Sequence, residues 1–122
     1  MMSAMNDLLI SINSGCDGLI REIKFNSFDT ASITISAMKY PEKRWVNIRF
    51  MLSEVKEFTV RQKLHYSNVV ISNGIAYDNF SGLHYIDFSP YSEIMANVDD
   101  FRASDLYFAA VNIDFKVLSY CE

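Results

Sequence analysis

Between Arg44 and Leu52 the side chains alternate without a break, and this single pattern limits the fold more than anything else in the chain. Val46, Ile48, Phe50 and Leu52 fall on one side, while Trp45, Asn47, Arg49 and Met51 fall on the other. A period of two fits a strand with one buried and one solvated face, and it excludes a helix. The same alternation recurs in Ile33-Ile35 against Ser32-Thr34-Ser36, and in Ile113-Phe115-Val117 against Asn112-Asp114-Lys116. Strands whose two faces differ this sharply belong to antiparallel sheets, because parallel sheets bury both faces.

Further strands are expected at Leu19 to Phe25, Phe58 to Leu64, Leu83 to Phe88 and Leu106 to Ala110. Tyr40-Pro41-Glu42-Lys43 should turn the chain, with Pro41 presetting the φ of a type I turn. Asn73-Gly74, between Val69-Val70-Ile71-Ser72 and Ile75-Ala76-Tyr77-Asp78, predicts a two-residue hairpin. One helix is expected from about Pro90 to Phe101, with Ser89 as cap and Pro90 in its first turn. The amino terminus fits either periodicity. Met5, Leu8, Leu9 and Ile12 suit a helix, Leu8, Ile10 and Ile12 a strand, and the β-rich surroundings favour the strand. The fold expected is α+β and β-rich: a mainly antiparallel sheet of about seven to eight strands, as a sandwich or partly open barrel, with one short helix near residues 90–101. At 122 residues, one domain over 1–122 suffices.

The sequence is poor in catalytic signatures. It has no G-x-S-x-G elbow, and the two histidines, His65 and His84, form no metal-binding spacing. His84 alternates with Ile86 and Phe88, which suggests a core or rim histidine with a backbone partner. Cys16 and Cys121 make no C-x-x-C pair and are expected to be free thiols in a reducing compartment. The first basic residue is Arg21 and the apolar run Leu8 to Ile12 is short, so neither a secretory signal nor a membrane span is expected. These readings point to a cytoplasmic, non-enzymatic protein without cofactor or metal.

Charge is distributed unevenly. Residues 1–65 carry nine Lys/Arg against seven Asp/Glu, or +2; residues 66–122 carry two against eight, or −6, which together give the chain's −4. Tyr77, Tyr85, Tyr91 and Tyr107 lie among the acids of the second half. Tyrosine is an interface residue, and carboxylates around it suit a basic partner. Asp78, Tyr85, Asp87, Tyr91, Glu93, Asp99 and Asp100 are therefore the candidate partner-binding residues, with Asp87 and Tyr85 on one side of a strand as the favoured pair. At the end of a helix reaching Phe101, Asp99 and Asp100 would oppose the macrodipole. Either that helix stops earlier and Asp99 caps a new turn, or the acids serve something outside the chain. The basic stretch Lys39 to Lys63 is the opposing candidate for nucleic acid, but Phe50 belongs to the hydrophobic face and the pI near 5.1 lacks a basic footprint. No nucleic-acid or membrane partner is expected.

The run Ser104-Asp105-Leu106-Tyr107-Phe108-Ala109-Ala110-Val111-Asn112-Ile113-Asp114-Phe115, with the β-rich run from Ser32 to Phe88, resembles small bacterial immunity proteins of polymorphic toxin systems, including contact-dependent growth inhibition. The resemblance is one of pattern and transfers no residue by position. It implies a cytoplasmic protein, a monomer or weak dimer when free, that binds and blocks one cognate toxin domain, often a nuclease. The alternatives are a self-associating structural or accessory domain and a small-ligand binder with a barrel-like sheet.

Overall fold

A computed structural model describes residues 4–61, 70–91 and 95–120, with the side chains of 119 and 120 excepted. Six strands form one antiparallel sheet: β1 (Leu19–Ser27), β2 (Thr30–Lys39), β3 (Arg44–Val60), β4 (Ala76–Phe80), β5 (Leu83–Asp87) and β6 (Leu106–Tyr120). Their spatial order is β1-β2-β3-β6-β5-β4. Two helices accompany them, α1 (Ala4–Ser11) and α2 (Val98–Arg102). The β-rich α+β class is as the alternation predicts.

Among the described residues the strands number six instead of seven or eight, because separate expected segments are continuous. β3 runs on past Leu52 through a bulge between Val55 and Glu57, so the segment beginning at Phe58 is its far end, while residues 62–64 of that expected strand lie outside the described residues. Leu106 to Ala110 and Ile113 to Val117 are likewise one strand, β6. The sheet stays open but curls: Phe25 on edge strand β1 lies 4.8 Å from Phe58 of β3 and 6.2 Å from Phe108 of β6, ring to ring.

The inner face holds the principal core. Ile33, Ile35, Ile48, Phe50, Ile86 and Phe108 are wholly inaccessible there. Register explains it, since Ile33 pairs with Phe50 and Phe50 with Phe115, stacking apolar residues strand over strand. A second cluster of Tyr85, Met95, Phe101, Tyr107 and Ala109 covers the opposite face at the β4-β5-β6 end.

The amino-terminal segment is a helix, which corrects the strand expectation. Met5, Leu8, Leu9 and Ile12 are all buried in the principal core, whereas Ile10, which a strand would have buried, is 65% exposed. Burying a four-residue stripe outweighed the local β propensity.

The hairpin expected at Asn73-Gly74 is also corrected. Gly74 is left-handed as that pair allows, with φ 79°, but its flanks part company. Val70 bridges Leu19 and the Ile71 amide donates to the Gly18 carbonyl, while Ala76–Phe80 pairs with β5. Ile71 and Ile75 both enter the principal core, so the segment serves as a crossing between strands. The tight β4–β5 turn is at Ser81-Gly82, with φ 54° and 85°, and Asn79 Oδ1 accepts from the Gly82 amide at 3.1 Å. Tyr40–Lys43 turns the chain at the expected place but not as a type I turn: the Lys43 amide donates to the Lys39 carbonyl at 2.8 Å, Lys43 has a φ of 57°, and the Tyr40–Pro41 bond is cis.

Of the helix expected over residues 90–101, the described residues form Val98–Arg102, while 92–94 lie outside them. Asn97 caps it: its Oδ1 accepts from the Asp100 amide at 3.0 Å, and Asp100 Oδ2 accepts from the Asn97 amide at 3.2 Å. This capping box fixes the helix start eight residues later than Ser89 and Pro90 would have. It also removes the charge conflict, because Asp99 and Asp100 now occupy the first turn, the positive end of the dipole. Replacing Asn97 with Ala is expected to lower stability by about 1 kcal/mol. Chemical denaturation midpoints would register it.

Candidate functional site

The acidic residues of the second half do not form one surface. Asp78 is exposed on edge strand β4, where its Oδ1 accepts from the next amide, that of Asn79, at 2.8 Å. Tyr85 and Asp87 do share a side of β5, but that side is covered. Tyr85 is 3% exposed, its ring 5.7 Å from Phe80 and 5.5 Å from Phe101. Asp87 is wholly inaccessible. Neither can touch a partner in this arrangement, so the favoured pair of the sequence reading is corrected. The second apolar cluster, assembled from α2 and β6, took the face that alternation left open. Glu93 lies outside the described residues.

Three of the candidates do come together. Tyr91 is 61% exposed, and its hydroxyl donates to Asp100 Oδ1 at 2.5 Å. The other oxygen of Asp100 accepts from the Ala96 amide at 2.7 Å as well as from Asn97. Asp99 stands exposed beside it in the same turn. The Tyr91 hydroxyl and these amides hold the Asp100 carboxyl below its usual pKa, and the same hydrogen bond raises the Tyr91 phenol. The result is an aromatic ring with a polar tip fixed to a carboxylate that stays ionised at neutral pH. An open cleft of about 430 Å³ adjoins it, with Arg61, Ser89, Tyr91, Ser104 and Asp105 among its walls.

Asp87 supports this region from behind. Its Oδ1 accepts from Ser104 Oγ at 2.6 Å and from the Ser89 amide at 2.8 Å, and both serines line the cleft. Its Oδ2 is buried with no hydrogen-bond partner. Burial pushes its pKa up to about 6, against the lowering effect of Ser104 and Ser89, and the nearby Asp105 charge adds to the rise.

Sequence reasoning missed a clamp at the same end. Arg102 of α2 donates to Glu57 of β3 through Nε at 2.9 Å and Nη2 at 2.6 Å, and Tyr107 of β6 donates to Glu57 Oε1 at 3.0 Å. Arg102, then Tyr107, holds the Glu57 carboxyl below its usual range despite partial burial. The partners are 45 and 50 residues apart, so no local spacing could have signalled them.

His84 is half-buried, as its alternation suggests, but its partner is a side chain. Tyr77 Oη lies 2.6 Å from His84 Nδ1 with the two rings stacked, and burial lowers the imidazole pKa. His65 and Cys121 lie outside the described residues, and Cys16 is a half-buried free thiol. Among the described residues no group of three or more His, Cys, Asp or Glu could hold a metal ion, and no helix is long and apolar enough to cross a membrane. Comparison with protein families, curated proteins and solved structures finds no match to the chain.

Proposed function

We propose that this chain is an immunity protein that binds a basic bacterial toxin domain, of the nuclease kind, in the cytoplasm and neutralises it. The observation that carries the reading is the Tyr91–Asp100–Asp99 surface. Tyr91 is a large exposed ring whose polar tip is already ordered, so little side-chain entropy remains to be lost on binding. Asp100 is anchored by two backbone amides, and Asp99 adds a free carboxylate alongside. An ordered aromatic flanked by ionised acids suits a cationic surface, and nuclease domains present such surfaces to phosphate. The pattern resemblance to immunity proteins supports the same reading.

A growth-protection assay tests it. A neighbouring gene product that arrests growth when expressed alone would be expressed with the wild-type chain or with a Tyr91→Ala/Asp99→Asn double variant. The wild type should rescue growth and the variant should rescue it poorly. Full rescue by the variant, or no rescue by the wild type, would contradict the proposal.

A further inference from the structure

We infer that the outer face of the β1-β2-β3-β6 sheet is a second interaction surface, one that takes an acidic, extended polypeptide segment. Two cross-strand rows define it: Glu22–Thr34–Arg49–Lys116 and Lys24–Ser32–Met51–Asp114. Neither apolar cluster includes a residue of this face. Arg49 and Lys116 stand directly opposite each other on neighbouring central strands. Like charges at that position destabilise a sheet, and a broken local rule of this kind points to a use outside the fold.

The cations are held ready. Arg49 spends its Nε on Thr34 Oγ1 at 3.3 Å, and Arg21 spends its Nε on Ser36 Oγ at 2.9 Å, while that hydroxyl donates to Asn47 Oδ1 at 2.6 Å. Both guanidinium groups are thereby steadied over the sheet by their Nε atoms. Lys24 and Lys116 are exposed. Among the described residues none of Arg21, Lys24, Arg49 and Lys116 carries an ion pair, and Glu22 and Asp114, the acids of the two rows, sit on the outermost strands of the patch.

An extended acidic segment matches this spacing. Positions two apart on a strand are about 6.7 Å from each other, the same repeat at which an extended peptide projects its side chains to one side. Single-stranded nucleic acid is the other polyanion, but it needs stacking partners. These rows offer hydroxyls and Met51, with Trp45 alone at one corner and 37% exposed. Charge without a stacking array favours carboxylates. This surface is separate from the Tyr91 end and does not depend on the function proposed for it.

Trp45 is the only tryptophan in the chain and lies on this face, so it reports directly. Its emission would be titrated with poly-L-glutamate and, in parallel, with oligothymidylate at low ionic strength. Poly-L-glutamate should give a saturable change, weakened at least tenfold by Arg49→Gln/Lys116→Gln, with oligothymidylate binding more weakly. Lys116→Glu should abolish binding while leaving the melting temperature unchanged or raised, because it replaces a repulsive pair with an attractive one. No emission change, equal binding by the variants, or oligothymidylate binding as tight as poly-L-glutamate would each overturn the inference.

Discussion

Truncating Phe50 to Ala is expected to lower stability by about 3–5 kcal/mol. The ring is wholly inaccessible, faces Ile33 and Phe115 across the two adjoining strands, and meets Phe88 edge-on at 5.7 Å. Collapse around the missing ring is limited, because its neighbours are fixed by sheet register on both sides. A native domain typically has only about 5–15 kcal/mol in reserve, so the variant should be marginal at room temperature. Urea unfolding followed by far-ultraviolet circular dichroism measures the loss; a change below about 1 kcal/mol would show that this face is not the core.

The second large effect depends on pH. Asp87 has a folded pKa of about 6, above its ordinary 3.8, so the folded state prefers the protonated carboxyl. The stability tied to that proton is fully present below pH 3.8 and is lost as pH rises through about 6. A shift of this size corresponds to about 3 kcal/mol. Glu57 and Asp100, whose pKa values are lowered, act in the opposite sense and lose their contribution as pH falls through their own folded values. Asp87→Asn separates the two, because an amide imitates the neutral carboxyl and keeps an acceptor for Ser104 and Ser89. Between pH 4 and pH 7.5 the wild type should lose about 2.4 kcal/mol relative to the variant. Parallel stability curves would mean that Asp87 is not held neutral by its burial.

The period-two stretches made the sheet legible from the sequence, because alternation of Val46, Ile48, Phe50 and Leu52 forces those residues to one face whatever their partners are. Strand joins were less legible. The bulge between Val55 and Glu57 inside β3 has no glycine or proline to announce it, so one long strand read as two. Asn73-Gly74 carried correct local chemistry for a left-handed residue, yet tertiary burial of Ile71 and Ile75 decided what the turn connects. The candidate site divided for a similar reason. Alternation placed Tyr85 and Asp87 together but could not say that Phe101 and Tyr107 would cover them. The Asn97/Asp100 capping box, three residues apart, was readable in principle and lay hidden beneath the longer helix expected from Pro90.

The central claim is that the fixed Tyr91–Asp100–Asp99 surface recognises a cationic partner. It is tested most directly by association and dissociation rates for the wild type, Asp99→Asn and Tyr91→Ala against the cognate toxin domain, at two salt concentrations. Asp99→Asn should mainly slow association and reduce its salt dependence, since an exposed acid acts by steering. Tyr91→Ala should mainly speed dissociation, since an ordered ring acts by contact. Rates for both variants that match the wild type at both salt concentrations would contradict the claim.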